Sequence, residues 1–149
     1  MKVFVTVGHT RFDALFEEID RISDNGSWLF THQISDGLYI PKSGENFSFT
    51  KNIKEFYSDA DVIITHAGAG TVFELLELNK KIIVVNNTNR VDSHQGDLTK
   101  YVRKHNYALT CDSLCKLEEQ LHKINHFTPE KYQKERFTKA NEIFETLNT

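Results

Sequence analysis

Fourteen residues, Asp61-Val-Ile-Ile-Thr-His-Ala-Gly-Ala-Gly-Thr-Val-Phe-Glu74, carry most of the chemistry legible in this chain. They read as a buried strand, a glycine turn and the start of a helix. The apolar run Val62-Ile63-Ile64 suits a parallel strand covered on both faces. Gly68 and Gly70 let the backbone pass close to a ligand. Thr71 is the expected N-cap, with Glu74 three positions later as in a capping box. A helix starting there points its free N–H groups and positive dipole end at the turn. That arrangement is an anion site, most simply a phosphate site.

The better-known phosphate motifs do not fit. No lysine follows Gly70 as a P-loop requires. Gly68-Ala-Gly-Thr-Val-Phe73 has phenylalanine where a dinucleotide fingerprint needs its third glycine. What remains is a Gly-Ala-Gly-Thr turn with a glutamate one helical turn inside. Glu74 can accept hydrogen bonds from ribose hydroxyls, or only complete the capping box. His66 can donate to a phosphate when protonated, or pack at the strand end.

These residues need elements to position them, and the chain supplies an alternation. Strands are expected at Lys2–Val7, Trp28–Ile34, around Phe47 and Phe49, at Val62–Ile64, Lys81–Val85 and Tyr107–Thr110. Helices are expected at Arg11–Ile22, Ile53–Ser58, Thr71–Leu78, His94–His105 and Ser113–Ile124. Asp24-Asn25-Gly26 is turn chemistry. Asn86–Ser93 is a polar loop. Pro129 is expected to open a last helix, 129–148, docking on this domain or on a partner. Alternating strands and helices predict an α/β fold: a single Rossmann-like domain over 1–149, with a mainly parallel sheet and helices on both faces. Ligands in such sheets bind at the carboxyl ends of the strands, where the turns at Gly8 and His66–Gly70 fall.

Composition narrows the field. The 149 residues are 39% apolar and 26% charged, as in a soluble globular domain. A net charge of -3 argues against a general grip on nucleic acid. Cys111 and Cys115 lack a second Cys or His pair at zinc spacing and read as reduced structural thiols. His32, His105, His122 and His126 show no ligand spacing and read as surface residues. The N-terminus has no signal-peptide pattern and no apolar run could span a bilayer, so a cytoplasmic location is expected.

His66-Ala-Gly-Ala-Gly-Thr-Val-Phe-Glu74, the following Leu-Leu-Glu-Leu-Asn-Lys-Lys-Ile-Ile-Val-Val-Asn86, and then His94-Gln95 resemble the donor-binding, C-terminal-type domain of family 28 glycosyltransferases. Val5-Thr-Val-Gly-His-Thr-Arg-Phe-Asp13 adds a likeness to the small catalytic subunit of two-component UDP-sugar transferases. Those are the eukaryotic dolichol-linked GlcNAc transferase and bacterial capsule and exopolysaccharide pairs. The likeness covers about 1–103.

The resemblance implies half of a GT-B enzyme, whose active site lies in the cleft between two Rossmann-like domains. It implies a UDP-sugar as donor substrate, no cofactor, and a metal-free mechanism in which helix dipole and hydrogen bonds stabilise the leaving diphosphate. It implies a membrane-associated acceptor-binding partner subunit and a lipid-linked glycan acceptor, with this chain peripheral to the membrane through that partner. Gly8, His9, Thr10, His66, Ala67, Gly68, Ala69, Gly70 and Thr71 would line the diphosphate cleft. Glu74 would hold the ribose, and His94 and Gln95 would read sugar hydroxyls. Gln95 can alternatively be an exposed first-turn residue. His9 departs from the eukaryotic threonine; it is a diphosphate contact, a catalytic contributor or a solvated loop residue. The catalytic base falls to the partner. A non-catalytic helper subunit is the alternative reading.

Overall fold

A computed structural model describes residues 1–23, 27–87 and 93–133. Among them, six strands form one sheet: β1 Lys2–Thr6, β2 Leu29–Gln33, β3 Gly44–Phe47, β4 Val62–His66, β5 Lys81–Val85 and β6 Leu109–Cys111. Among the described residues, five α-helices accompany them: α1 Asp13–Ile22, α2 Ile53–Asp59, α3 Ala69–Glu77, α4 Ser93–Lys104 and α5 Leu117–Lys123. All strand pairs are parallel, in the order β3-β2-β1-β4-β5-β6. This is the Rossmann strand order, with its switch point between β1 and β4.

Strand pleating divides the core in two. Val3, Val5, Ile64, Ile83 and Val85 meet α1 and α5 on one face. Phe4, Ile63, Ile82 and Val84 meet α2, α3 and α4 on the other. The β-branched runs that predict these strands are thus buried on both sides, as a parallel sheet requires.

The β2–β3 crossover contains no helix and is held by carboxylates of α1 instead. Asp13 Oδ1 accepts from the backbone N–H groups of Leu38 at 3.1 Å and Tyr39 at 3.3 Å. Asp20 accepts from the Tyr39 hydroxyl at 2.6 Å and from the backbone of Lys42 and Ser43 at 2.9 and 3.0 Å. Burial pushes the Asp20 pKa up, but hydrogen bonds from Tyr39, Ser43 and Lys42 outweigh it and hold the carboxyl below its ordinary value. The same bond pushes the Tyr39 phenol up to about 12.

Several boundaries differ from expectation. The strand expected around Phe47 and Phe49 is Gly44–Phe47, and Phe49 is 53% exposed. The carboxylate anchors of the crossover place that strand three residues early. The helix expected at Ser113–Ile124 is a short α5 between 3-10 turns at Leu114–Lys116 and Ile124–His126. Residues 129–133 are not helical, so Pro129 does not open a helix. Tyr132 instead packs on Phe73 and Tyr107 of this same domain. The remainder of the expected terminal helix and the Asp24-Asn25-Gly26 turn lie outside the described residues.

Two histidines depart from the surface reading. His32 is fully buried between Phe16 and Phe30, with Nε2 2.8 Å from the Ser43 hydroxyl. β2 is an inner strand, and alternation turns this residue inward against α1. Burial drives its pKa down to about 4, against a smaller opposing pull from Asp20. His105 is half-buried between Tyr101 and Tyr107. Cys111 is a free buried thiol, pushed up to about 11 by burial, and Cys115 is free and exposed.

Candidate functional site

β1 and β4 lie side by side, with Thr6 beside Thr65, and their chains leave toward opposite faces of the sheet. The crevice between the two turns is where an open α/β sheet places a ligand. On the β1 side, Gly8 adopts φ +60°, the left-handed region that favours glycine. The buried Gln33 side chain holds this turn: Oε1 accepts from Val7 N at 3.0 Å and Gly8 N at 2.9 Å. Nε2 donates to Gly8 O at 2.8 Å.

On the β4 side the chain reverses through Gly68, whose N–H bonds His66 O at 2.9 Å. α3 then starts at Ala69 with Gly68 as its extended N-cap and no side-chain cap. This corrects the expected capping box. Val72 N already bonds Gly68 O at 3.0 Å, so the helix begins two residues earlier and Thr71 sits inside its first turn. The first N–H groups of α3 are consequently left to the crevice rather than to a serine- or threonine-type cap.

The glycines do different work. A Cβ on Gly68 would stand 2.4 Å from His66 Nε2, and one on Gly8 would stand 3.2 Å from His66 Cε1. The His66 ring therefore lies between the two turns, and both glycines make room for it. Gly70 is exposed, and a Cβ there would meet nothing within 4 Å among the described residues. A helical glycine costs about 0.5–1 kcal/mol relative to alanine. No described protein atom requires it at Gly70, whereas close approach of a ligand would. Thr71 Oγ1 faces the Gly8 turn, 3.9 Å from where a Gly8 Cβ would be.

The other expected site residues take these places. His9 is exposed at the crevice rim and stacks on Phe49, ring centroids 5.3 Å apart. Thr10 follows, its N–H bonding Val7 O at 3.0 Å. Ala67 is buried beneath the turn. Glu74 is half-buried on α3, near enough that its charge adds to burial in pushing the Tyr57 phenol up to about 12. Gln95 is 8% exposed; its Oε1 accepts from Asn87 N at 2.7 Å, and its Nε2 reaches Asn87 O at 3.4 Å. Its amide is therefore turned onto the loop after β5. The side chain of His94 lies outside the described residues.

Two residues at the site carry no recognisable motif. Gln33 holds the β1 turn, and Asn87 Nδ2 donates to Arg11 O at 3.2 Å, tying the β5 loop to the β1–α1 loop. Each is a buried amide at or just past the carboxyl end of a strand; the sequence shows that position, and only the fold shows the burial and the partners.

The chain also holds one Asp-x-Asp triplet, Asp59-Ala60-Asp61, the carboxylate spacing a metal-dependent donor site would use. It stands at the opposite, N-terminal edge of the sheet. There Asp61 accepts from Lys2 N at 2.8 Å and Asp59 pairs with Lys2 Nζ at 3.1 Å. Among the described residues, no group of three His, Cys, Asp or Glu could hold a metal ion. None of the described helices is long and apolar enough to cross a membrane.

Fold and crevice define an open α/β domain whose switch point carries a helix N-terminus with no side-chain cap. Residues 2–147 match the glycosyltransferase family 28 C-terminal domain, and the chain belongs to that family. It is 34% identical over 122 residues to the human UDP-N-acetylglucosamine transferase subunit ALG13, covering 73% of this chain and 11% of that protein. It is 33% identical over 112 residues to a Christiangramia forsetii UDP-N-acetylglucosamine–N-acetylmuramyl-(pentapeptide) pyrophosphoryl-undecaprenol N-acetylglucosamine transferase, covering 70% of this chain and 30% of that enzyme. The chain thus spans about a tenth of the human relative and under a third of the bacterial one. Among solved structures, an NMR structure of ALG13 superposes with a TM-score of 0.65 at 17% identity, covering 99% of this chain and 97% of that one. Acinetobacter baumannii MurG superposes with 0.60 at 21% identity, covering 99% and 41%. Both share the fold.

Proposed function

We propose that this chain is the UDP-sugar-binding subunit of a two-component inverting glycosyltransferase that extends a polyprenyl-linked glycan in polysaccharide biosynthesis. The observation that carries the reading is the uncapped N-terminus of α3 facing the Gly8 turn across the β1/β4 switch point. Backbone N–H groups of Ala69, Gly70 and Thr71 hold the diphosphate, and Glu74 holds the ribose. An acceptor hydroxyl attacks the anomeric carbon in line, the glycosidic bond forms, and UDP leaves with the electron pair. The helix dipole stabilises the charge on that leaving group without a metal. The base that takes the hydroxyl proton and the surface that holds the acceptor belong to a membrane-associated partner subunit, through which this chain sits at the membrane. The names of the human and bacterial relatives make UDP-N-acetylglucosamine the first donor to try.

Thermal unfolding of the full chain with UDP, UDP-sugars, GDP, NAD and ATP tests this. A ligand at 100 times its dissociation constant adds about 2.7 kcal/mol, a shift of several degrees at this size. UDP compounds alone should give it, and Glu74→Ala should lose about 1–3 kcal/mol of UDP affinity, the range for a charged hydrogen bond. Stabilisation by NAD and not UDP contradicts the reading.

One observation favours a helper role instead: the Gln95 amide is engaged with Asn87. A complex with the partner that keeps its activity when Glu74 and Gln95 are both alanine would establish the helper.

A further inference from the structure

The geometry points to Gln33 as a positioning residue of the crevice, a buried amide that fixes the Gly8 turn in the shape that faces α3. The inference rests on the donor-binding reading for what the turn is held ready to receive. Gln33 is 3% exposed at the end of β2. Its Oε1 receives three donors: Thr6 Oγ1 at 2.6 Å, Val7 N at 3.0 Å and Gly8 N at 2.9 Å. Its Nε2 uses both hydrogens, on Gly8 O at 2.8 Å and Ser48 O at 2.8 Å.

The orientation of the amide is forced. Backbone N–H groups only donate and carbonyls only accept, so the two ends cannot be exchanged. Gly8 has both its N–H and its C=O bound to this one side chain, which pins a residue at φ +60° that would otherwise be free to turn. The bond to Ser48 carries the restraint further. Ser48 precedes Phe49, and Phe49 stacks on His9. One side chain thus sets Gly8 directly and His9 and Phe49 through the backbone.

Two variants of the full chain separate positioning from mere stability. Gln33→Met keeps length and loses every polar contact. Gln33→Glu keeps the acceptors and loses both donors. Amide exchange by NMR reads the lock without ligand, and calorimetry reads UDP affinity at a temperature where circular dichroism shows the variants folded. In Gln33→Met, Val7 and Gly8 should exchange at least tenfold faster while Ile63 and Ile64 do not, and UDP should bind at least tenfold more weakly. Gln33→Glu should regain part of that affinity, relative to wild type at each pH, as acid protonates its carboxyl and restores one donor. Gln33→Met cannot, and if it fails to fold, Gln33→Glu carries the same comparison. Wild-type UDP affinity in a variant whose melting temperature has dropped would overturn the inference and leave a structural residue. Absence of UDP binding by the wild type would remove the donor reading instead. Unchanged exchange at Val7 and Gly8 would overturn the lock in either case.

Discussion

The two turns that face each other across the crevice are built on opposite plans. The β1 turn is closed: Gln33 binds the N–H and the C=O of Gly8 and the N–H of Val7. The β4 turn is open: α3 begins on a glycine with no side-chain cap, and its first N–H groups face the crevice. One wall has its polar groups satisfied from within, and the other leaves the first amides of its helix without a side-chain cap. A binding site needs both, since a donor binds tightly only if the opposing wall holds the ligand against it.

Acid should weaken the fold through β2, the strand that carries the lock on the closed turn. His32, beside Gln33 on β2, has its pKa lowered from 6.5 to about 4 by burial. Above pH 6.5 both folded and unfolded chains carry it neutral. Between that value and about 4 the unfolded chain takes up a proton the folded chain refuses, so stability falls as pH falls. The loss amounts to about 3 kcal/mol at full extent. Urea unfolding at pH 7 and pH 4.5 measures it, and His32→Phe should remove most of the difference. Equal pH dependence in both proteins breaks the assignment.

Gly68→Ala strikes where the two turns meet. The added Cβ meets His66 Nε2 at 2.4 Å, and the ring cannot retreat freely because the Gly8 turn lies behind it. Overpacking of this kind costs about 2 kcal/mol. A denaturation midpoint equal to wild type would mean that His66 has a second place to go.

Gly70→Ala should do the reverse on the open side. Nothing described stands within 4 Å of the new methyl. Replacing a helical glycine should stabilise the fold by about 0.5 kcal/mol. If a ligand comes close here, UDP affinity should fall at the same time. A stabler protein with unchanged affinity would show that the glycine serves no ligand.

Much of this was readable in the sequence. The β-branched runs of β1, β4 and β5 and the apolar spacing of α1 announced themselves because a parallel sheet buries both faces. The parallel sheet with helices on both faces followed from the alternation, and the crevice from the two glycine turns. The start of α3 was misread because Thr71 and Glu74 imitate a capping box, while the backbone at Gly68 already accepts the first helical bond. β3 was displaced by Asp13 and Asp20, whose hold on residues 38–43 is a contact between distant parts of the chain. Gln33 and His32 were missed for the same reason: a polar residue inside an inner strand shows its partners only once the chain is folded.

If the uncapped amides of α3 receive a diphosphate opposite the Gly8 turn, UDP must reach both turns at once. A titration of the 15N-labelled full chain with UDP, followed by 1H–15N NMR, tests it residue by residue. Saturable shifts are expected at Gly8, Ala69, Gly70 and Thr71, with the β6 edge around Asp112 unmoved. Binding that shifts the β6 edge and leaves Ala69, Gly70 and Thr71 where they were would contradict it.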